Sequence, residues 1–412
     1  MSNLVLTATP FIGRSQEIDE ICALLDDSSC RLLTLVGPGG IGKTRLALEV
    51  AARSHEAFPA GVFFVPLASL SPTDNILTAI AESMPFRFQQ DNRSPREQFF
   101  AYLHEKQAQS LLLVVDNLEH ILDNVDVLSE ILTATLDLKI LATSREALNL
   151  QEEWVRQIAG LAYPDQEDPE AVEDYAAGQL FVDRARRIRG DFPLTEYREI
   201  VVEICRLVEG MPLAIELAVS WLTTLRPADI AREIQHNLDI LATRSRNLPE
   251  RHRSIRSVIS HSWQLMREDE RQVFQRLSVF HCGFTREAAV VVAGASLHTL
   301  AGLIDKSLVR LSAAGRYDIH ELLRQYGEEQ LAMAGQTEAV QRAYIDYYLG
   351  LLSLLEKDIK SQQQIVALNT IEADFENVRN SWQLAVQQRH VVAMNQAVES
   401  LHFFCRYART IS

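Results

Sequence analysis

The 412-residue sequence has no apolar run near the roughly 18–20 residues that a membrane helix needs. Its longest apolar stretches, Leu111–Val115 and Ala288–Ala295, suit buried strands or helices instead. The opening residues Met1, Ser2 and Asn3 lack the basic start and apolar stretch of a signal peptide. Cysteine is scarce. The five present (Cys22, Cys30, Cys205, Cys282, Cys405) are scattered and form no CxxC pair. That excludes a disulfide or zinc framework and fits the thiols of a reduced, cytoplasmic setting. A basic excess is missing too: 40 Lys plus Arg stand against 55 Asp plus Glu, a formal net charge of -15. Such a balance argues against whole-chain polyanion binding and leaves room only for a local basic patch. There is no Ser/His/Asp set, and the His252–His261 stretch lacks metal-ligand spacing. What the chain does have is an ordinary folded composition, 47% hydrophobic and 23% charged, at a length that suggests about two to four domains.

Three textures follow one another. Up to about residue 160, short apolar runs (Leu32–Val36, Gly61–Val65, Leu111–Val115, Leu138–Ala142) alternate with helical stretches (Lys43–Ser54, Thr73–Ser83, Pro95–Gln109, His120–Leu136). That alternation predicts a parallel sheet with helices on both faces. From about 165 the strand signal fades and apolar residues take helical spacing, punctuated by Pro164, Pro169, Pro193, Pro212 and Pro227. A linker, Thr243–Arg256, then carries Arg244, Arg246, Arg251, Arg253 and Arg256 around Pro249. Short helices follow and close on a hairpin over Ser307–Ser312 and Arg316–Ile319, a winged-helix pattern. Beyond Glu321 the chain reads as helical, with Ile371–Gln388 and Val391–Arg406 as a pair. Tyr344, Tyr347 and Tyr348 form an aromatic stripe that suits a core. The expected domains are a P-loop nucleotide-binding α/β domain (1–162), an all-α helical domain (163–245), a winged-helix domain (246–335) and a helical region (336–412). Leu401–Tyr407 is apolar and aromatic within a helix, so we expect further helical pairs after residue 412.

Gly37-Pro-Gly-Gly-Ile-Gly-Lys43-Thr44 matches GxxxxGK[ST], after a predicted strand and before a predicted helix. The glycines Gly37, Gly39, Gly40 and Gly42 let the backbone wrap phosphate oxygens, and main-chain N–H groups from Gly40 through Ile41 to Arg45 act as donors. Lys43 supplies a point charge to the β- and γ-phosphates, and the Thr44 hydroxyl suits Mg²⁺. Asp116 ends an apolar strand where it can hold that Mg²⁺ through water. The next residue, Asn117, cannot act as a base. Glu119 is the nearest carboxylate able to orient a water, or else it is an exposed acid near a helix start. Arg145, after the strand beside the Asp strand, is either a γ-phosphate sensor or an exposed loop arginine. No [NT]KxD base-reading motif follows a strand, so ATP/ADP is favoured over GTP.

Together these motifs resemble the STAND class of signal-transduction ATPases, the NB-ARC/NLR-like group, in its bacterial branch, over about residues 10–335. Phe11-Ile12-Gly13-Arg14, followed by Glu17, is similar to the class's N-terminal signature, whose backbone holds the adenine. Leu113–His120 resembles the Asp-strand motif and Thr143-Ser144-Arg145 the sensor motif. Glu209–Leu217 is similar to the GxP motif, which implies that Pro212, next to Leu213, packs on the base. Leu248–Arg253 and Asp269–Thr285 resemble the linker and winged helix. His320 stands where relatives carry a histidine that touches the β-phosphate of ADP; taken alone it reads as a surface or core histidine. The departures are Asn117 in place of a second acid and no effector domain before Phe11.

The resemblance implies an ADP-bound closed monomer that opens and self-associates with ATP. Its trigger would be sensed by the C-terminal helices, which are tetratricopeptide-like. Two other readings stay open. One is a DNA-binding regulator that uses the winged helix and the Arg linker, not favoured on charge. In the alternative, that linker is solvated and pairs with acids such as Glu268, Asp269 and Glu270. The other is an ordinary turnover ATPase, against which Asn117 weighs.

Overall fold

The computed structural model describes residues 2–4, 9–68, 70, 76–90, 92–105, 110–164, 169–243 and 253–408. Most of the Arg linker, including Arg244, Arg246, Arg251 and the stretch from Leu248 to His252, lies outside the described residues. The chain divides into two compact units, Met1–Leu265 with Asp305–Ser307, and Met266–Ile304 with Leu308–Ser412.

The first unit opens with α1 (Ser15–Asp26), β1 (Leu32–Val36), α2 (Lys43–Arg53), β2 (Gly61–Pro66), α3 (Ile76–Ser83) and α4 (Pro95–Glu105). It continues through β3 (Leu111–Asp116), α5 (Asp126–Ala134), β4 (Leu138–Ser144) and β5 (Glu153–Gln157). The five strands form one sheet in the order β2-β3-β4-β1-β5, and all pairs are parallel. β1, β3 and β4 are buried nearly throughout, as strands covered on both faces must be. Successive side chains point to opposite faces. One set, including Leu113, Val115, Ile140 and Ala142, packs with Ile80 of α3, Phe99 of α4 and Leu128 and Ile131 of α5. On the other face α2 lies against β3 and β4, with α1 packed on α2 through buried Ile18, Ile21 and Leu25. Each such fully buried aliphatic side chain contributes about 1.5–3 kcal/mol.

Two elements differ from the expected pattern. β5, Glu-Trp-Val-Arg-Gln, has no apolar run because its side chains stay out of the core, with Trp154 and Val155 exposed. The helix expected over 120–136 begins only at Asp126. Asn117 turns the chain sharply with a φ of 74°, and two short 3-10 turns, Leu118–His120 and Leu122–Asn124, follow. The apolar spacing of Leu118, Ile121 and Val125 is met by those turns rather than by an α-helix.

The unit ends with α6 (Ala176–Ile188), α7 (Leu194–Leu207), α8 (Pro212–Ser220), α9 (Pro227–His236) and α10 (Ile255–Gln264). Pro212 and Pro227 open α8 and α9, where the missing N–H costs nothing. The chain before α8 lies tight against residues 160–161. A Cβ on Gly160 would stand 1.9 Å from Glu209 O, and one on Gly210 (φ 64°) 1.9 Å from Leu161 O.

The second unit holds α11 (Glu268–Leu277), α12 (Arg286–Ala293), α13 (Leu297–Asp305), the antiparallel pair β6 (Arg310–Leu311) and β7 (Tyr317–Asp318), and α14 (Glu321–Met333). This is the helices-then-hairpin order read from the sequence. Four further helices are α15 (Thr337–Ile359), α16 (Gln364–Ala373), α17 (Phe375–Gln387) and α18 (Val391–Ala408). Tyr344 and Tyr348 of α15 are fully buried beside Phe280, as a core stripe should be. Asp374 separates α16 from α17 and accepts a hydrogen bond from Arg316 at 2.5 Å. Among the described residues no single helix is long and apolar enough to cross a membrane.

Candidate functional site

The phosphate loop joins β1 to α2. Gly40 (φ 81°) and Gly42 (φ 94°) hold left-handed backbone that other residues rarely adopt. The Lys43 ammonium donates to the carbonyls of Gly37 (2.7 Å) and Pro38 (3.2 Å) within the loop. Burial pushes Lys43 down to about 8, against the pull of Glu119.

β3 and β1 are separated by β4, so the tips of all three strands meet beside the loop. The Thr44 hydroxyl donates to Asp116 Oδ1 at 2.6 Å, and the Thr143 hydroxyl donates to the same oxygen at 2.6 Å. Burial raises the Asp116 carboxyl above its usual range, and these two hydrogen bonds only partly offset that. Thr143 Oγ1 also accepts from the Asn117 N–H at 3.0 Å, which fixes the turn after β3.

Glu119 is buried, so the reading of it as an exposed acid is overturned. Its Oε1 accepts from Arg145 Nε at 2.9 Å and from Asn117 Nδ2 at 3.2 Å. Burial raises its carboxyl, but the charges of Lys43 and Arg145 outweigh this and hold it below the ordinary range. Its other oxygen, Oε2, is buried with no hydrogen-bond partner.

Arg145 is likewise no exposed loop arginine, being only 7% exposed. Beyond Glu119 its guanidinium donates to Val258 O at 2.9 Å and to the Ser262 hydroxyl, both on α10. Its own carbonyl accepts from the Ser307 hydroxyl at 2.7 Å. α10 also meets the loop directly, since a Cβ on Gly39 would stand 2.4 Å from Val258 Cγ1.

A separate, largely apolar cleft lies on the other side of the loop. Phe11, Ile12, Ile41, Leu161, Leu180 and Pro212 line it, with Pro10, Gly42 and the guanidinium-bearing Arg14 and Arg45. Arg14, at φ 62°, donates to Ile41 O (2.9 Å) and Ala159 O (2.7 Å), tying the segment before α1 to the loop. Gly13 (φ 74°) lets that segment pass Ala176, whose Cβ would be 2.3 Å from an added Cβ. The Leu213 N–H at the start of α8 donates to Gly40 O at 3.3 Å. Residues 11–14, 37–45 and 212–213 are thus brought together, and Asp116, Glu119 and Arg145 meet at the strand tips.

Leu161, Leu180 and the α10 residues Val258 and Ser262 carry no sequence signal of their own. Thr143 alone had a cue, as the first residue of the Thr-Ser-Arg stretch. His320 lies in the second unit, where it is buried and caps α14, its Nδ1 accepting from the Leu322 N–H at 3.2 Å. Of the linker arginines within the described residues, Arg256 pairs with Asp239; Asp269 and Glu270, expected as partners of the linker, pair with Arg267, which lies beyond it.

Such a loop and strand-tip carboxylate on a parallel sheet define a P-loop ATPase. A family model described as an AAA ATPase domain matches residues 10–150. The chain is 32% identical over 383 residues to the putative HTH-type transcriptional regulator Rv0890c of Mycobacterium tuberculosis, covering 90% of this chain and 41% of that one. It therefore spans about four-tenths of the length of that relative. It is also 32% identical over 349 residues to the uncharacterized protein Rv0894 of Mycobacterium tuberculosis, covering 82% of this chain and 85% of that one. A Signal Transduction ATPase with Numerous Domains (STAND) protein with a tetratricopeptide repeat sensor from Pyrococcus horikoshii matches 96% of this chain and 55% of its own, at 16% identity and a TM-score of 0.33. That superposition is too loose to bear on mechanism. With the identity to Rv0894 sustained along both chains, the protein belongs to that family, and its residues 10–150 form a P-loop ATPase domain.

Proposed function

We propose that the protein is a nucleotide-held signal switch, with ADP stabilising a resting form and ATP an open, self-associating form. The observation that carries this reading is Arg145. It stands at the strand tip where a γ-phosphate would be sensed, and its guanidinium is shared between Glu119 and α10. A third phosphate competes for that guanidinium, so ATP and ADP have different contacts in the two arrangements, which any ligand-driven shift requires. Lys43 and the loop amides bind the phosphates, and Phe11, Ile12, Pro212 and Leu213 hold the base side. The oxygen donors of Thr44 and Asp116 already meet at 2.6 Å and fit Mg²⁺, which would neutralise phosphate charge. Glu119 Oε2, buried and without a partner, suits the orientation of a water. Asn117 beside Asp116 keeps hydrolysis slow, so the ATPase acts as a timer. The C-terminal helices sense the trigger, and the setting is cytoplasmic.

The test is the molar mass in solution of protein loaded with ADP or with a non-hydrolysable ATP analogue. The switch requires a monomer in the first case and a larger assembly in the second, with Lys43→Ala monomeric in both. A monomer throughout would sink it. A second reading, direct DNA contact, is favoured by the likeness to Rv0890c, a putative HTH-type transcriptional regulator. Duplex binding that weakens steeply with salt supports it, and no binding at low salt removes it.

A further inference from the structure

The two edges of the five-stranded sheet end differently. Beside β2, Ser2 forms a parallel bridge with Val62. The Asn3 side-chain amide accepts from the Phe64 N–H (2.6 Å) and donates to the Phe64 carbonyl (2.9 Å), which closes that edge. Among the described residues, no strand or bridge lies on the side of β5 away from β1. Trp154 and Val155 are 41% and 47% exposed there. One hydrogen bond fixes which backbone groups face outward. The Ile158 N–H, just past β5, donates to Val36 O of β1 at 2.7 Å. The N–H and C=O of one residue point to the same side of a strand, and that side alternates along it. Trp154 and Arg156 therefore face β1, while Glu153, Val155 and Gln157 turn their N–H and C=O outward. The Glu153 N–H is taken by Leu150 O at 3.1 Å. Side chains alternate between the faces, so Trp154 and Arg156 share one, where Arg156 donates to Glu20 of α1, and Val155 lies on the other.

An unpaired strand edge is a template for another strand. We propose that this edge binds the same edge of a second copy of the chain, antiparallel, with Val155 on the twofold axis, so that the two sheets become one. This rests on the self-association reading and deepens it by naming the surface. The strand complements itself best in this register. Val155 and its counterpart exchange both backbone hydrogen bonds, and the Gln157 N–H meets the outward Glu153 carbonyl of the second copy. Trp154 stands opposite Arg156 on each side of the axis, an aromatic ring against a cation. Centring the pair on Arg156 instead would set two guanidinium groups against each other. Centring it on Trp154 would set Val155 against the acid Glu153, whose N–H is already taken.

The test uses the full chain and reads its molar mass by sedimentation over a range of concentrations, with ADP and with a non-hydrolysable ATP analogue. Val155→Pro removes the outward N–H at the axis and spares the bonds to β1, since an edge position whose N–H faces solvent tolerates proline. The expected result is that the wild type associates with the analogue and that Val155→Pro does so at least about tenfold more weakly. A second variant does not depend on how proline is accommodated. Val155→Cys, in a chain whose exposed Cys405 is replaced by Ser, should oxidise to a disulfide-linked dimer. Cα atoms of a hydrogen-bonded antiparallel pair lie about 5.5 Å apart, within disulfide reach. If the wild type associates and Val155→Pro associates equally well, or Val155→Cys gives no linked dimer, another surface makes the contact and the proposal is overturned. If the wild type stays monomeric with both nucleotides, the switch reading falls together with this one, an outcome distinct from the first.

Discussion

At the scale of single residues, the site is a set of charges out of water that hold one another. Burial pushes Lys43 down to about 8. Below that pH it is charged in the free protein. Above it the charge is lost, and binding a phosphate must restore a proton. Affinity for pyrophosphate is therefore expected to fall as pH rises past 8, by up to about tenfold per pH unit, and Lys43→Ala to abolish the slope. Titration calorimetry at pH 7 and 9 checks this, and equal affinities would contradict it. The Arg145–Glu119 pair is almost wholly buried. Removing one partner leaves the other as an uncompensated buried charge, so Arg145→Ala should lower stability by about 3 kcal/mol in urea unfolding. A loss under about 1 kcal/mol would mean that Glu119 finds water or Lys43 instead.

At the scale of elements, the cleft depends on how closely two backbones approach. Gly210 sits at φ 64° with Leu161 O where its Cβ would go, and the Leu161 N–H donates to Gly210 O at 2.8 Å. Gly210→Ala has to part this contact just ahead of Pro212. The expectation is a loss of at least about 2 kcal/mol in thermal unfolding, together with weaker ADP binding. A variant with unchanged melting would show that α8 is not seated there. Elements were legible in the sequence to the extent that burial wrote a pattern. β1 to β4 are mostly apolar because most of their side chains are buried. β5 is not, because its side chains, Trp154 and Val155 among them, stay out of the core. The turns at Leu118–Asn124 imitate helical spacing, since the same apolar residues reach the core without an α-helix. As for the site, the glycine loop, Asp116 and Pro212 announce themselves by type and order. Val258, Ser262, Leu161 and Leu180 are ordinary residues placed by folding across more than 100 positions in some cases, as for Arg145 with Ser262. No local signal could mark them.

At the scale of the whole molecule, the family and the fold agree on an ATPase core followed by helices, and the account turns on what the nucleotide does there. If it is a latch, the protein should keep it; if it is fuel, the protein should spend it. The most direct measurement is to denature freshly purified protein and identify the released nucleotide by chromatography. A resting switch predicts close to one ADP per chain, lost in Lys43→Ala. A chain that emerges empty and then hydrolyses added ATP rapidly would contradict the switch and leave an ordinary turnover ATPase in its place.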